Sequence, residues 1–296
     1  MTDRASTTPM RPVLLINPRS GGGKAQRYDL VTLCRARGIE PVVMKEGDDL
    51  ASLAAAAVSS GADVIGMAGG DGSQAIVAAT ASGHDVPYVC IPTGTRNHFA
   101  LDIGVDRENV IGALDAFHYG SERRIDLGQV NGRIFVNNAS IGLYGRIVQS
   151  PEYREAKLRT VIEMLPELLG PAAMPFDLRF VDPSGASYNR AQLVLVSNNR
   201  YQLDPLGSQG TRGTMDAGTL GVVVVPDAPP LRRWREWTAA RFELDSGASI
   251  DVGLDGEALK LDPPLRFDSL PGALRIRTPA HRREQRPPPL RRISLL

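Results

Sequence analysis

The stretch Ala68-Gly69-Gly70-Asp71-Gly72-Ser73-Gln74 limits what this chain can fold into more than any other. Ahead of it, Asp63-Val64-Ile65-Gly66-Met67 is short and largely apolar, which suits a strand. Behind it, Gln74-Ala75-Ile76-Val77-Ala78-Ala79-Thr80 predicts a helix with Ser73 as its N-cap. A strand that passes through a glycine cluster into a helix lets main chain approach a ligand closely. The first-turn N–H groups are free, and the helix dipole favours an anion there, which makes the turn a phosphate-binding geometry. Asp71 is the odd member. Beside a polyphosphate a carboxylate needs a Mg²⁺ between them, or else it fixes the glycine backbone. Read alone, the segment also fits an ordinary strand-to-helix turn with glycine for tightness and Asp71 as a cap.

Two further loops follow the same plan. The apolar strand Pro12-Val13-Leu14-Leu15-Ile16 runs into Asn17-Pro18-Arg19-Ser20-Gly21-Gly22-Gly23-Lys24, and a helix is expected over residues 25–37 with Gly38 beyond its end. A strand at 86–91 runs into Pro92-Thr93-Gly94-Thr95-Arg96-Asn97, with a helix expected from about Arg96 toward Ile103. A strand at 40–44 and helices at 49–60 and 108–117 complete the alternation. Such alternation predicts a parallel, doubly wound sheet. In that architecture the C-terminal ends of the strands share one edge, where ligands bind. Three glycine- or threonine-rich loops at one edge weigh more than any one of them.

From Arg124-Ile125-Asp126-Leu127-Gly128 onward the pattern changes to strands, at 133–138, 176–181, 191–197, 220–225, 241–244, 249–254 and 274–277. Turn signals such as Asp182-Pro183-Ser184-Gly185 and Ser269-Leu270-Pro271-Gly272 separate some of them, which predicts an antiparallel sandwich. Residues 152–169 interrupt it as a helix with apolar positions at Leu158, Val161, Ile162, Leu165, Leu168 and Leu169, expected to cover the sandwich or line a cleft. The domains expected are therefore 11–125 (α/β), 126–280 (β-sandwich) and a basic, proline-interrupted tail at 281–296. That tail is either a solvated terminus or an anchor to anionic lipid headgroups.

Composition narrows the function classes. With 296 residues, 42% hydrophobic, the chain can fill two cores. A net charge of +1 gives no broad field for nucleic acid. Cys34 and Cys90 lie in apolar contexts and fit neither a disulfide framework nor a metal cluster, consistent with a reducing cytoplasm. The first ten residues lack an apolar signal core, and no apolar run reaches membrane-spanning length.

Taken in order, Asn17-Pro18-Arg19-Ser20-Gly21, Gly69-Gly70-Asp71-Gly72-Ser73, Pro92-Thr93-Gly94-Thr95-Arg96-Asn97-His98-Phe99-Ala100 and Asp255-Gly256-Glu257 resemble the diacylglycerol kinase catalytic family, which includes bacterial lipid kinases and sphingosine kinases. The likeness runs from Val13 to about Pro279. The glycine–aspartate element alone would also fit NAD kinases and phosphofructokinases. The resemblance implies an α/β nucleotide domain followed by a β-sandwich, with ATP in the cleft between them. It implies ATP contacts at Asn17, Pro18, Arg19, Ser20 and Gly21, at Gly69, Gly70, Asp71, Gly72, Ser73, Gln74 and Ala75, and at Thr95. It places Asp71 by the Mg²⁺–phosphate cluster, supported by Asp126, and Asp255 and Glu257 where a lipid hydroxyl enters, one of them as base. Without the resemblance, Asp255-Gly256 reads as a hairpin turn.

Ser73 stands for the family's usual threonine and His98 for its aspartate, and Lys45 or its neighbours stand where the family often has a nucleotide-touching threonine. The bacterial Asp-Asp-Gly loop of a structural Mg²⁺ is Asp216-Ala217-Gly218 here, leaving Asp216 as its one carboxylate. The expectation is an ATP- and Mg²⁺-dependent kinase of a lipid hydroxyl such as that of diacylglycerol, in phospholipid metabolism, cytoplasmic and touching the membrane peripherally. A homodimer stays open. The alternatives are an NAD kinase-like enzyme and a non-catalytic lipid or nucleotide sensor.

Overall fold

The computed structural model describes residues 10–142, 175–202, 212–226 and 234–280. The helix expected at 152–169 and the basic tail at 281–296 lie outside them.

Along the first half run β1 (Pro12–Ile16), a 3-10 turn (Ser20–Gly22), α1 (Lys24–Arg27), α2 (Leu30–Ala36), β2 (Glu40–Val43), α3 (Leu50–Ser59), β3 (Val64–Gly69), α4 (Asp71–Gly83) and β4 (Tyr88–Pro92). Next come α5 (His98–Asp102), α6 (Val110–Ala113) and α7 (Ala116–Tyr119). The second half has β5 (Gly120–Val130), β6 (Arg133–Phe135), β7 (Asn138–Gly142), β8 (Phe176–Val181), β9 (Ser187–Asn198), β10 (Leu220–Pro226), β11 (Arg235–Ala239), β12 (Arg241–Leu244), β13 (Ile250–Leu254), β14 (Glu257–Leu261) and β15 (Leu265–Pro279).

These strands form an eight-stranded and a seven-stranded sheet. In the first, β2, β1, β3 and β4 are parallel neighbours, as the alternating pattern predicts. Every residue of β1, β3 and β4 is buried, because helices cover both faces of a parallel sheet. Each fully buried aliphatic side chain there contributes about 1.5–3 kcal/mol. The second sheet, in the order β11-β10-β9-β7-β13-β14 with β8 on β9, is antiparallel throughout. Its inner face packs Phe180, Val194, Val196 and Val252 against Phe242 of β12 and Phe267 of β15, from the first sheet, in a second core.

One connection departs from a simple tandem of domains. β15 pairs with β12 at its start and with β5 along both sides of a register shift between Leu270 and Leu274, and it also runs parallel to β4 at Ile276 and Arg277. The Ser269–Gly272 segment, expected to be a turn, is therefore an irregularity inside one long strand. The end of the described chain completes the first sheet, and residue 125 lies in the middle of β5.

Several local expectations also shift. The helix expected at 25–37 is two, since Asp29 sits at φ 46°. Asn97, at φ 53°, delays α5 to His98. Gly70, rather than Ser73, is the N-cap of α4, so Ser73 lies inside the first turn. At α3 the cap is Asp49, accepting from Ser52 N at 3.0 Å.

Candidate functional site

The loops after β1, β3 and β4 meet at the C-terminal edge of the parallel sheet. Their contact is close enough to require glycine. A Cβ on Gly21, whose φ is +54°, would run into Thr93 O and the Gly94 main chain. One on Gly94 would come within 2.5 Å of Gly70 Cα. The first loop is also fastened from beneath, since Asn17 N donates to Ala68 O at 2.9 Å. Its own bend is an Asn turn in which Arg19 N donates to Asn17 Oδ1 at 3.0 Å.

Asp71 stands at the start of α4 and fastens this edge to α5. Its Oδ2 accepts from His98 N at 3.2 Å and its Oδ1 from Phe99 N at 3.1 Å. Burial holds the His98 imidazole below its usual range, against the pull of Asp71. Gln74 is turned inward and is 2% exposed. Its amide donates to Met67 O, Gly69 O and Ile91 O at 3.1 Å each, and its oxygen accepts from Tyr88. Only its main chain is left to the loop, and Ala75 beside it is also buried. Thr95, by contrast, is exposed.

Asp255-Gly256-Glu257 arrives from the other sheet. Leu254 pairs with Glu257, and Asp255 and Gly256 have φ of 49° and 91°, so the hairpin turn read from the sequence is present. The same turn serves the site. A Cβ on Gly72 would lie 2.5 Å from Glu257 Oε1, so the Glu257 carboxylate rests on the glycine loop. The two carboxylates of the hairpin have different surroundings. Asp255 accepts three main-chain N–H bonds, from Val136 at 2.8 Å, Asn137 at 2.8 Å and Asn138 at 3.0 Å. Loss of solvent pushes its acid up to about 7, aided by the nearby Asp71 and opposed by those amides. Glu257 is exposed at the mouth.

The three aspartates expected near metal do not gather. Asp126, 1% exposed, accepts from Gly218 N at 2.6 Å, Gly272 N at 2.8 Å and Asn199 Nδ2 at 3.2 Å. It knots β5, β15 and the 214–218 loop together. Asp216 is exposed and accepts from Thr214 Oγ1. Among the described residues no three carboxylate, histidine or cysteine groups cluster as metal ligands. The 214–218 loop is fastened through its main chain: Ala217 N donates to Asn199 Oδ1 at 3.0 Å, and Asp126 N to Met215 O at 2.7 Å. Its donor set does not fit a structural Mg²⁺, since Ala217 offers no carboxylate and Asp216 is the loop's one acid. Asp71 fits a Mg²⁺ that is shared with phosphate oxygens, which needs only one or two protein carboxylates.

A triphosphate fits the edge better. Thr93 Oγ1 and Arg96 Nη2 are buried with no hydrogen-bond partner among the described residues, leaving donors unused in the third loop. The first-turn amides of the thirteen-residue α4 add to them. Cys34 and Cys90 are buried reduced thiols, their acidities suppressed by burial. A separate groove of about 530 Å³, lined by Phe180, Tyr188, Trp237 and Phe242, shares no residue with this edge.

Some roles carry no local signal in the sequence. Asn97 belongs to the third motif, but its part there shows only in the fold: its Nδ2 holds Pro92 O and Gly94 O at 3.2 and 2.9 Å and so shapes the third loop. Its left-handed backbone is one that asparagine tolerates. Asp102 and Arg212 pair across the halves at 2.6 Å, and nothing in their spacing announces it.

Residues 11–130 match the family model described as the diacylglycerol kinase catalytic domain. A Pseudomonas fluorescens protein named "Probable lipid kinase YegS-like" is 30% identical over 272 residues, covering 79% of this chain and 83% of that one. A Mycobacterium tuberculosis protein named "Diacylglycerol kinase" is 32% identical over 176 residues, covering 55% of this chain and 57% of that relative, so the match spans just over half its length. The fold is similar to that of a solved structure titled as a diacylglycerol kinase from Bacillus anthracis, with a TM-score of 0.65 at 20% identity over 92% of this chain and 98% of that one. With the glycine loops and the Asp-Gly-Glu hairpin in one place, and a relative at this identity covered over most of its length, the chain belongs to the diacylglycerol kinase catalytic-domain family.

Proposed function

We propose that this chain is an ATP-dependent lipid kinase that moves the γ-phosphate of ATP to a lipid hydroxyl. The observation that carries the reading is the Glu257 carboxylate lying on Gly72, between the loop suited to phosphate and open solvent. Phosphoryl transfer asks a protein for positioning, for neutralised charge and for an oriented nucleophile. The main chain of residues 17–21 and 69–75, with Thr93, Thr95 and Arg96, suits the nucleotide. When bound, ATP supplies the phosphoryl group and Mg²⁺ the charge neutralisation, with Asp71 as the protein's carboxylate toward the metal.

Glu257 is the better of the two candidates for the base. It is exposed, and among the described residues no main-chain amide donates to its carboxylate. Asp255 spends both oxygens on the amides of 136–138 and so aims the hairpin. Glu257 accepts the hydroxyl proton as the alcohol oxygen bonds to phosphorus and the bond to the departing ADP oxygen breaks. The lipid comes from a membrane surface, which makes the contact peripheral and the setting cytoplasmic. No helix among the described residues is long and apolar enough to cross a membrane. The test is transfer from γ-labelled ATP, with Mg²⁺, to a total lipid extract and separately to NAD. A labelled lipid identified by mass supports the reading. Labelled NADP, or nucleotide binding with no transfer to any lipid, contradicts it.

A further inference from the structure

The two sides of the cleft are also joined behind it. Asp71 holds the first two amides of α5. At the other end of α5, Asp102 accepts from Arg212 Nε at 2.9 Å, Nη2 at 2.6 Å and main-chain N at 3.0 Å. The remaining guanidinium bonds go to the second half of the molecule. Nη1 donates to Val136 O at 2.6 Å and Asn198 O at 2.9 Å, and Nη2 to Asn137 Oδ1 at 2.8 Å. The Arg212 and Asp102 side chains are 0% and 2% exposed. Residues 136–138 are the ones whose amides hold Asp255, and two residues on Glu257 lies on Gly72, next to Asp71. The circuit Asp71, α5, Arg212, 136–138, Asp255, Glu257, Gly72 is closed.

A buried ion pair is a poor way to gain stability, because desolvation offsets most of the attraction. What the planar fork supplies is geometry, since its donors fix several acceptors at once and a lysine cannot copy it. We propose that Arg212 is a positioning residue: through Asp102 and residues 136–138 it sets the spacing between the glycine loop and the Asp-Gly-Glu hairpin, and so the place of the Glu257 carboxylate. The kinetic arm of its test rests on the lipid-kinase reading. The exchange arm does not.

The experiment uses the full chain as wild type, Arg212→Lys and Asp102→Asn. The first readout is amide hydrogen exchange without substrate. Both substitutions are expected to speed exchange at His98, at Phe99 and at 136–138 together, by about tenfold or more, while β1 and β2 stay within about twofold. The second readout pairs affinity for a fluorescent ATP analogue with kcat for lipid phosphorylation. Affinity is expected to stay within about threefold while kcat falls by about ten- to a hundredfold, the effect of a base displaced by an ångström or less. Faster exchange confined to the immediate neighbours of Arg212, or a kcat within about twofold of wild type, overturns the proposal. If the wild type phosphorylates no lipid, the lipid-kinase reading fails and the exchange result alone decides. If neither variant folds, native-state exchange of the wild type below its unfolding midpoint decides. One common opening for His98, Phe99 and 136–138 supports the brace, and separate openings overturn it.

Discussion

Glu257 and Asp255 show how two carboxylates in one tripeptide divide their work. Asp255 is held by three amides and loses solvent, which raises its acid to about 7. Because its folded value lies above its unfolded one, the folded state binds the proton more tightly. Its contribution to stability is therefore full below about pH 4 and is lost as pH rises toward 7. Melting temperatures from pH 4 to 8 should show this downward contribution in the wild type and its removal in Asp255→Asn. Identical slopes in the two proteins would count against it. Gly72 gives a second residue-scale test. It is inside a helix, where alanine is favoured over glycine by about 1 kcal/mol, yet its Cβ would press on Glu257 Oε1. Gly72→Ala should keep or raise the melting temperature while lowering phosphoryl transfer about tenfold or more. A variant both stable and fully active would show that the Glu257 position is not critical. These residues were legible in the sequence as members of motifs, but their orientations were not. Gln74 reads as part of a ligand loop, and only β4 arriving beside it explains why its amide faces inward.

At the scale of elements, three loops behave as one body because glycines allow their main chains to touch. Gly94→Ala would meet Gly70 main chain, which has no flexible end to move aside. It should destabilise the fold by about 1–3 kcal/mol, the usual range for overpacking, and weaken nucleotide binding with it. Denaturant melts with a nucleotide titration check this. Gly72→Ala, by contrast, meets only the end of a glutamate side chain. The positions of these loops could be read in advance, because each follows an apolar run and a parallel sheet sends such ends to one edge. Helix lengths were less legible. Asp29 and Asn97 each take a left-handed conformation that ends or delays a helix, and both residue types also serve inside continuous helices. The Asp-Gly hairpin shows the opposite case, where the turn and the functional site are the same structure.

For the whole molecule, the division into α/β and antiparallel halves follows from the change in hydrophobic period near residue 125. The join between them does not. β15 lies wholly in the first sheet, and the pairing of its Ile276 with Tyr88 links residues far apart in sequence with no local mark of it. Asp126 and the Arg212–Asp102 pair belong to this join, and the main-chain amides of Gly218 and Gly272 donate to Asp126 there. The join brings a hairpin from one sheet against a loop from the other, and the proposed chemistry depends on that meeting. The most direct test is Glu257→Gln, assayed for transfer of labelled γ-phosphate to lipid alongside nucleotide affinity. The account predicts that transfer falls by about 10²–10⁴-fold, the scale of a lost general base, while nucleotide affinity is unchanged. Transfer at the wild-type rate would contradict it.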